Sequence, residues 1–302
     1  MEKEELDKRV SDYLDYLTYE KKYSNYTVLN YREDILEFFS YLENEHVDYL
    51  DINYDDIRFY LMYLKDDKDN TNSTIDRKLS GLRGFYRYLA NNNTISSNPF
   101  NLVSAPKKEK KLPRFFEYNE LEELFNVPDL RKSKGQRDRL ILEMLYATGV
   151  RVGELVNIKV KDINKTNKNI LILGKGNKER LVEYGDYCDE ILNMYLNDGY
   201  IRLNHNNSSY LFLNDKGNQL TERGIRYILD KIIEKTSIDK KISPHMIRHS
   251  FATHLLNNGC SLLSVQKLLG HESIKSTQVY THVSTDRLKE VYRNSFPRAK
   301  DE

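Results

Sequence analysis

The sequence predicts a mainly α protein: an N-terminal helical domain, then a mixed, mostly helical domain with a small antiparallel β-sheet. Three observations predict it. Glycine (13) and proline (6) are scarce among 302 residues, while Leu, Lys, Glu and Tyr are common, which favours helices over a β-sandwich. Apolar residues recur at helical spacing through most of the chain. Two short runs, NILIL (169–173) and RLVEYG (180–185), flank the glycine-bearing turn GKGNKE (174–179), the pattern of a β-hairpin.

Before residue 104 only helices are expected. Val28, Tyr31, Ile35, Phe38 and Leu42 fall three and four apart, with Ser24 or Asn25 as the N-cap. A shorter helix covers roughly 55–64. A third, 73–89, has one apolar face of Ile75, Leu79, Leu82, Tyr86 and Leu89. Ser73, Arg77, Ser80, Arg83, Gly84 and Arg87 cluster on the other side. Small residues among arginines let a helix backbone approach phosphates, so Arg77, Lys78, Arg83 and Arg87 are candidate nucleic-acid contacts. The plainer reading is a surface helix with solvated arginines.

SAPKKEKKLPR (104–114) has two prolines, five basic residues and no apolar periodicity, and reads as an exposed linker. Beyond it, RDRLILEMLYATG (137–149) is a helix that stops at Gly149, and a second helix starts near Val152. The hairpin follows, with YLFL (210–213) a possible third strand. Helices are expected at roughly 186–197, 221–235, 244–258, 261–269 and 284–294.

The formal net charge of +1 conceals a division. Residues 1–100 carry 13 Lys and Arg against 20 Asp and Glu, and the remainder 34 against 26. A basic second half suits an anionic partner, although an ordinary solvated surface accounts for it as well. No apolar run approaches the ~18 residues of a membrane span. The charged start MEKEELDKRV lacks the apolar stretch of a signal peptide. Cys188 and Cys260 are isolated, which fits a reducing cytoplasm and no thiolate zinc site.

HMIRHSFATH (245–254) concentrates three of the seven histidines around an arginine. His245 and His249 share a helix face, yet Arg248 on that face repels a metal ion and no nearby carboxylate or thiolate completes a site. The alternative is an anion site. His245 and Arg248 project together at i, i+3, behind Ser243 and Pro244 at the helix start. An arginine fork matches two phosphate oxygens. His254 is in step with Phe251 and Leu255, as a core histidine would be, and His249 has no assigned part.

Three further stretches contribute. GKGNK (174–178) is no phosphate-binding P-loop, since it joins two strands and lacks that spacing, but it sets Lys175 on a glycine-flanked finger. ATGVRVGEL (147–155) places Arg151 after a helix break with Glu154 three residues on, a fork partner that in isolation is an ordinary ion pair. LLGHESIKSTQVYTHV (268–283) holds His271 and Tyr280; with 23 tyrosines in the chain, Tyr280 alone reads as packing. Taken together, two arginines, a lysine, two histidines and a tyrosine suit phosphoryl transfer without a metal. Arginines stabilise charge on non-bridging oxygens, and a cationic site lets a tyrosine hydroxyl attack.

In order and context these blocks resemble the tyrosine recombinases of the phage integrase family. The six residues in ATGVRVGEL, GKGNKERLV, PHMIRHSFATHLLNNG, LLGH and STQVYTHV carry the resemblance, which spans nearly the whole chain. The tail RLKEVYRNSFPRA and the compact length resemble the cellular Xer subgroup. The resemblance implies a helical core-binding (DNA-binding) domain over 1–103, a basic linker over 104–114 and a catalytic domain over 115–302 ending in a docking helix. It implies Tyr280 as nucleophile forming a 3′-phosphotyrosyl link, Arg151 and Arg248 as the phosphate clamp, Lys175 as general acid, His245 as base and His271 as phosphate ligand. Glu154 supports Arg151 from behind. Neither cofactor, ATP nor metal is implied. The implied partners are double-stranded DNA at a dif-type site, a recombinase tetramer with a XerD-like paralogue, and an FtsK-type translocase.

Three departures from the family pattern stand out. Val152-Gly153 replaces a larger residue followed by Ser, Glu272 follows His271 where a small residue is usual, and NSFPRA lacks a His before its Pro. Leu288, Val291 and Tyr292 form a narrow stripe, expected to dock on a neighbouring protomer, the plainer reading being its own domain. Two other functions fit some of the features: an integrase of a mobile element, which residues 1–24 are too short to equip with an arm-binding domain, and a DNA-binding regulator without chemistry.

Overall fold

A computed structural model describes residues 2–104, 115–174, 179–270 and 291–299, with side chains from residue 7 onward. Lys175, His271, Tyr280, Glu272, Leu288 and the linker from residue 105 lie outside the described residues. The chain divides into two compact units, Met1–Lys111 and Leu112–Glu302, each with its own apolar core.

The first unit is built on α1 (Glu2–Asp15), α2 (Asn25–Asn44), α3 (Tyr54–Asp66) and α4 (Asn72–Asn91). Side-chain oxygens cap three of them: Ser24 accepts from Thr27 N, Asn53 from Asp55 N and Asp56 N, and Thr71 from Thr74 N. Each satisfies backbone donors that a helix start leaves unpaired. Edge-to-face rings fill the centre, such as Phe38 on Tyr60 at 4.7 Å between centroids. The charged start of the chain conceals α1, whose Val10 and Tyr13, with Leu17 in the turn that follows it, are buried at helical spacing.

The basic side of α4 differs from expectation. Lys78 is buried and bonds Asp34 at 3.3 Å and also Glu37. It lies three residues after Ile75 and four before Leu82, so helical geometry turns it toward the core. Arg77 also bonds Asp34, while its side chain stays 43% exposed. Arg83 donates to Val103 O at 3.0 Å, and Arg87 is exposed. Gly84 leaves room for the Tyr13 hydroxyl, which lies 2.5 Å from where a Cβ would stand.

In the second unit α6 (Ser133–Thr148) is the central helix, packed by α5 (Tyr118–Asn126), α8 (Asp186–Met194) and α11 (Pro244–Asn257). It ends at Gly149 in the left-handed conformation (φ 59°), where a Cβ would meet Phe251 at 2.5 Å. The short α7 (Val152–Leu155) follows. The sheet runs in the order β1 (Ile163–Asn164), β2 (Asn169–Leu173), β3 (Glu179–Glu183), all antiparallel, with Ile170 opposite Val182 and Ile172 opposite Arg180. The expected third strand at 210–213 is not part of it. Tyr210 and Leu213 form only isolated bridges, to Lys159 and Gln219, while Leu211, Phe212 and Leu213 are buried. A continuous apolar run is equally the signature of a buried connection.

Helix α8 widens at Tyr195–Gly199 and continues as α9 (Tyr200–Leu203); α10 (Glu222–Ile233) and α12 (Leu262–Leu268) follow among the described residues. Residues 291–295 are helical. In the single chain this tail is covered by its own unit rather than left open for a neighbour. Tyr292 and Phe296 are buried, Phe296 packs on Tyr146 at 5.1 Å, and Arg298 lies 4.2 Å over the Tyr187 ring.

Candidate active site

Helix α11 positions the two residues of the HxxR motif. Ser243 caps it by accepting from Met246 N, and Pro244 occupies its first turn. His245 is exposed there. Arg248, one turn on, is buried at 8% exposure. Its guanidinium donates through Nη1 to Gly149 O and through Nη2 to Leu269 O at 2.8 Å. These carbonyls close the C-termini of α6 and α12, the negative ends of two helices, which explains how a buried cation is tolerated. Burial, and after it the neighbouring Arg151, lower the Arg248 pKa to about 10, so it stays charged at neutral pH.

Arg151 precedes α7, and its side chain remains 44% exposed. Its backbone N–H donates to Glu154 Oε2 at 2.8 Å and its Nη1 to Oε1 at 3.1 Å. Glu154 is buried. Burial acts to raise its pKa, but the Arg180 fork, the Arg151 N–H and both guanidinium charges outweigh that and hold it below the usual value. Arg180 bonds both carboxylate oxygens, Nη1 to Oε1 at 2.9 Å and Nη2 to Oε2 at 2.8 Å. Two guanidiniums therefore bond one carboxylate, and the Arg248 cation lies near enough to feel all three charges. The excess positive charge suits an anion, and Arg151 is the arginine of the three that faces water most.

The structure thus brings Arg151, Glu154 and Arg248 together, with His245 on the same helix as Arg248. Sequence reasoning missed Arg180. Strand alternation carried the signal: Arg180 is two residues before buried Val182 and opposite buried Ile172, so a cation had to face inward. Gly153, a departure from the family pattern, is not enforced by packing, since a Cβ there would meet only the end of the Glu222 side chain, at 2.9 Å.

His254 is a core residue. Its Nδ1 bonds the Tyr146 hydroxyl at 2.8 Å and its ring stacks on Tyr118 at 4.0 Å. Burial lowers its pKa from 6.5 to about 4. The stability contributed by the neutral ring is therefore complete above pH 6.5 and is lost as pH falls toward 4. Calorimetric melting should show a loss on the order of a few kcal/mol across this window, and His254→Gln should flatten it. An equally steep fall in that variant would assign the loss to other groups. His249 meets Phe115 edge to face at 6.4 Å.

A sequence model of the phage integrase family matches residues 114–287, and one of the phage integrase N-terminal SAM-like domain matches residues 10–93. The chain belongs to the phage integrase family, and is thus a tyrosine recombinase, an enzyme that cuts and rejoins DNA strands. It is 48% identical over 291 residues to tyrosine recombinase XerC of Anoxybacillus flavithermus, covering 95% of this chain and 97% of that one. It is 44% identical over 290 residues to tyrosine recombinase XerC of Staphylococcus saprophyticus, covering 96% and 97%. Among solved structures, XerH site-specific recombinase bound to palindromic difH substrate in a post-cleavage complex matches with a TM-score of 0.70 at 26% identity, over 88% of this chain and 79% of that one. No helix among the described residues is long and apolar enough to cross a membrane.

Proposed function

We propose that this protein is a Xer-type site-specific recombinase that acts in the cytoplasm on double-stranded DNA at a dif-type site and resolves chromosome dimers at cell division. The observation that carries the reading is the buried Arg248, anchored by two helix C-termini beside Arg151, with more positive charge around it than Glu154 neutralises.

In this reading a phosphodiester occupies the clamp. The Tyr280 hydroxyl oxygen attacks phosphorus as the bond to the 5′ oxygen breaks, leaving a 3′-phosphotyrosyl ester. His245 accepts the tyrosine proton and Lys175 protonates the departing 5′ oxygen. Arg151, Arg248 and His271 hold the non-bridging oxygens as negative charge grows on them. One ester replaces another, so the bond energy is kept for rejoining and no ATP is consumed.

Residues 1–103 serve as the core-binding domain and 104–114 as a basic linker along the phosphates. Arg87, with the partly exposed Arg77 and Arg83, contacts DNA; Lys78 holds α4 to α2 instead. A tetramer with a XerD-like paralogue, under an FtsK-type translocase, completes the system.

Reconstitution on the host's dif duplex tests this. Holliday junctions and recombinant products are expected with the paralogue present. Products from an element's attachment site, with none from dif, would overturn the chromosomal reading.

A further inference from the structure

We infer that Arg180 is a positioning residue for strand cleavage: it grips Glu154 by both oxygens, and Glu154 in turn fixes Arg151 beside Arg248. The inference rests on the clamp reading above. Arg180 sits on the inner face of β3, level with Ile172 of β2. Its fork is the two-bond contact on Glu154, whereas the Arg151 guanidinium makes one bond to the same carboxylate. A bidentate fork fixes direction as well as distance. Without Arg180, Glu154 keeps one guanidinium partner, and the exposed Arg151 side chain is free to fold back over the carboxylate rather than project from it.

A second observation points the same way. Arg180 Nε is buried without a hydrogen-bond partner among the described residues. It stands 2.8 Å from where a Cβ at Gly270 would lie, with Arg180 Cδ and Cζ at 3.0 Å. Gly270 has φ 65° and follows Leu269, whose carbonyl anchors Arg248. The Arg180 side chain therefore crosses the backbone that carries the Arg248 anchor, while its fork holds the partner of Arg151. An arginine kept inside a sheet face with one donor unpaired is a poor choice for folding alone, and a suitable one for linking two halves of a clamp.

The test is single-turnover cleavage of a nicked duplex by the full chain, with DNA affinity measured in parallel. Arg180→Lys keeps the charge but not the fork. It should cleave about 100-fold more slowly, the scale of a small misplacement of a positioned group, with affinity unchanged. Arg180→Ala should be slower still and should recover in part when millimolar guanidinium ion is added, a rescue that a purely structural defect does not show. Arg180→Lys cleaving at the wild-type rate would overturn the inference, as would a folded Arg180→Ala whose slow cleavage guanidinium does not restore. Arg151→Ala run alongside separates the two readings: if it too cleaves normally, the clamp itself is wrong, whereas its failure beside a normal Arg180→Lys rejects Arg180 alone.

Discussion

Tyr280→Phe is expected to abolish the covalent protein–DNA adduct on a nicked site while leaving binding within about twofold, since the substitution removes one oxygen and no charge. Two other tyrosines of the second unit are badly placed to replace it. The Tyr292 hydroxyl is buried without a partner among the described residues, and burial raises its pKa well above the ordinary tyrosine value. Tyr146 is buried, and its hydroxyl is engaged by His254. Denaturing gels of enzyme mixed with labelled DNA check this. An adduct undiminished in the variant would assign the nucleophile to another residue.

The second large effect is at Arg248. Arg248→Ala should slow cleavage by about 10²–10³-fold, the scale of losing one preorganised donor to a developing charge. It should also destabilise the second unit by about 2–5 kcal/mol, because the carbonyls of Gly149 and Leu269 lose their donor inside the protein. Arg151→Ala provides the contrast. Its side chain is 44% exposed, so cleavage should fall comparably while melting changes little. Single-turnover kinetics and denaturant melts of both variants separate the roles. Equal melting behaviour of the two would contradict the anchoring of Arg248 by helix ends.

How much was legible in the sequence depended on how local each signal was. Helices α2 and α4 and the β2–β3 hairpin were readable because their spacing and caps lie in contiguous stretches, such as Ser24 before Val28. Gly149 was readable as a stop because a glycine readily takes the left-handed turn that ends a helix. Strand β1 has two residues, too few to show any alternation, and the apolar 210–213 run took its place in the expectation. The charge of Lys78 marks it for the surface, whereas its position between Ile75 and Leu82 turns it inward to Asp34.

At the site, Arg151, Glu154, His245 and Arg248 were readable as motif residues, but their surroundings were not. The carbonyls that hold Arg248 come from residues 149 and 269, and backbone atoms leave no mark in side-chain patterns. Arg180 belongs to no motif of its own beside the lysine of the preceding turn, and only the period of β3 directs it inward.

The most direct test of the central claim is to find where DNA becomes attached. The full chain is incubated with a nicked site in EDTA, digested with protease and nuclease, and the nucleotide-bearing peptide is sequenced by mass spectrometry. A 3′-linked nucleotide on Tyr280, formed without divalent metal, is the predicted result. A nucleotide on any other residue, or no adduct until metal is restored, would contradict the account.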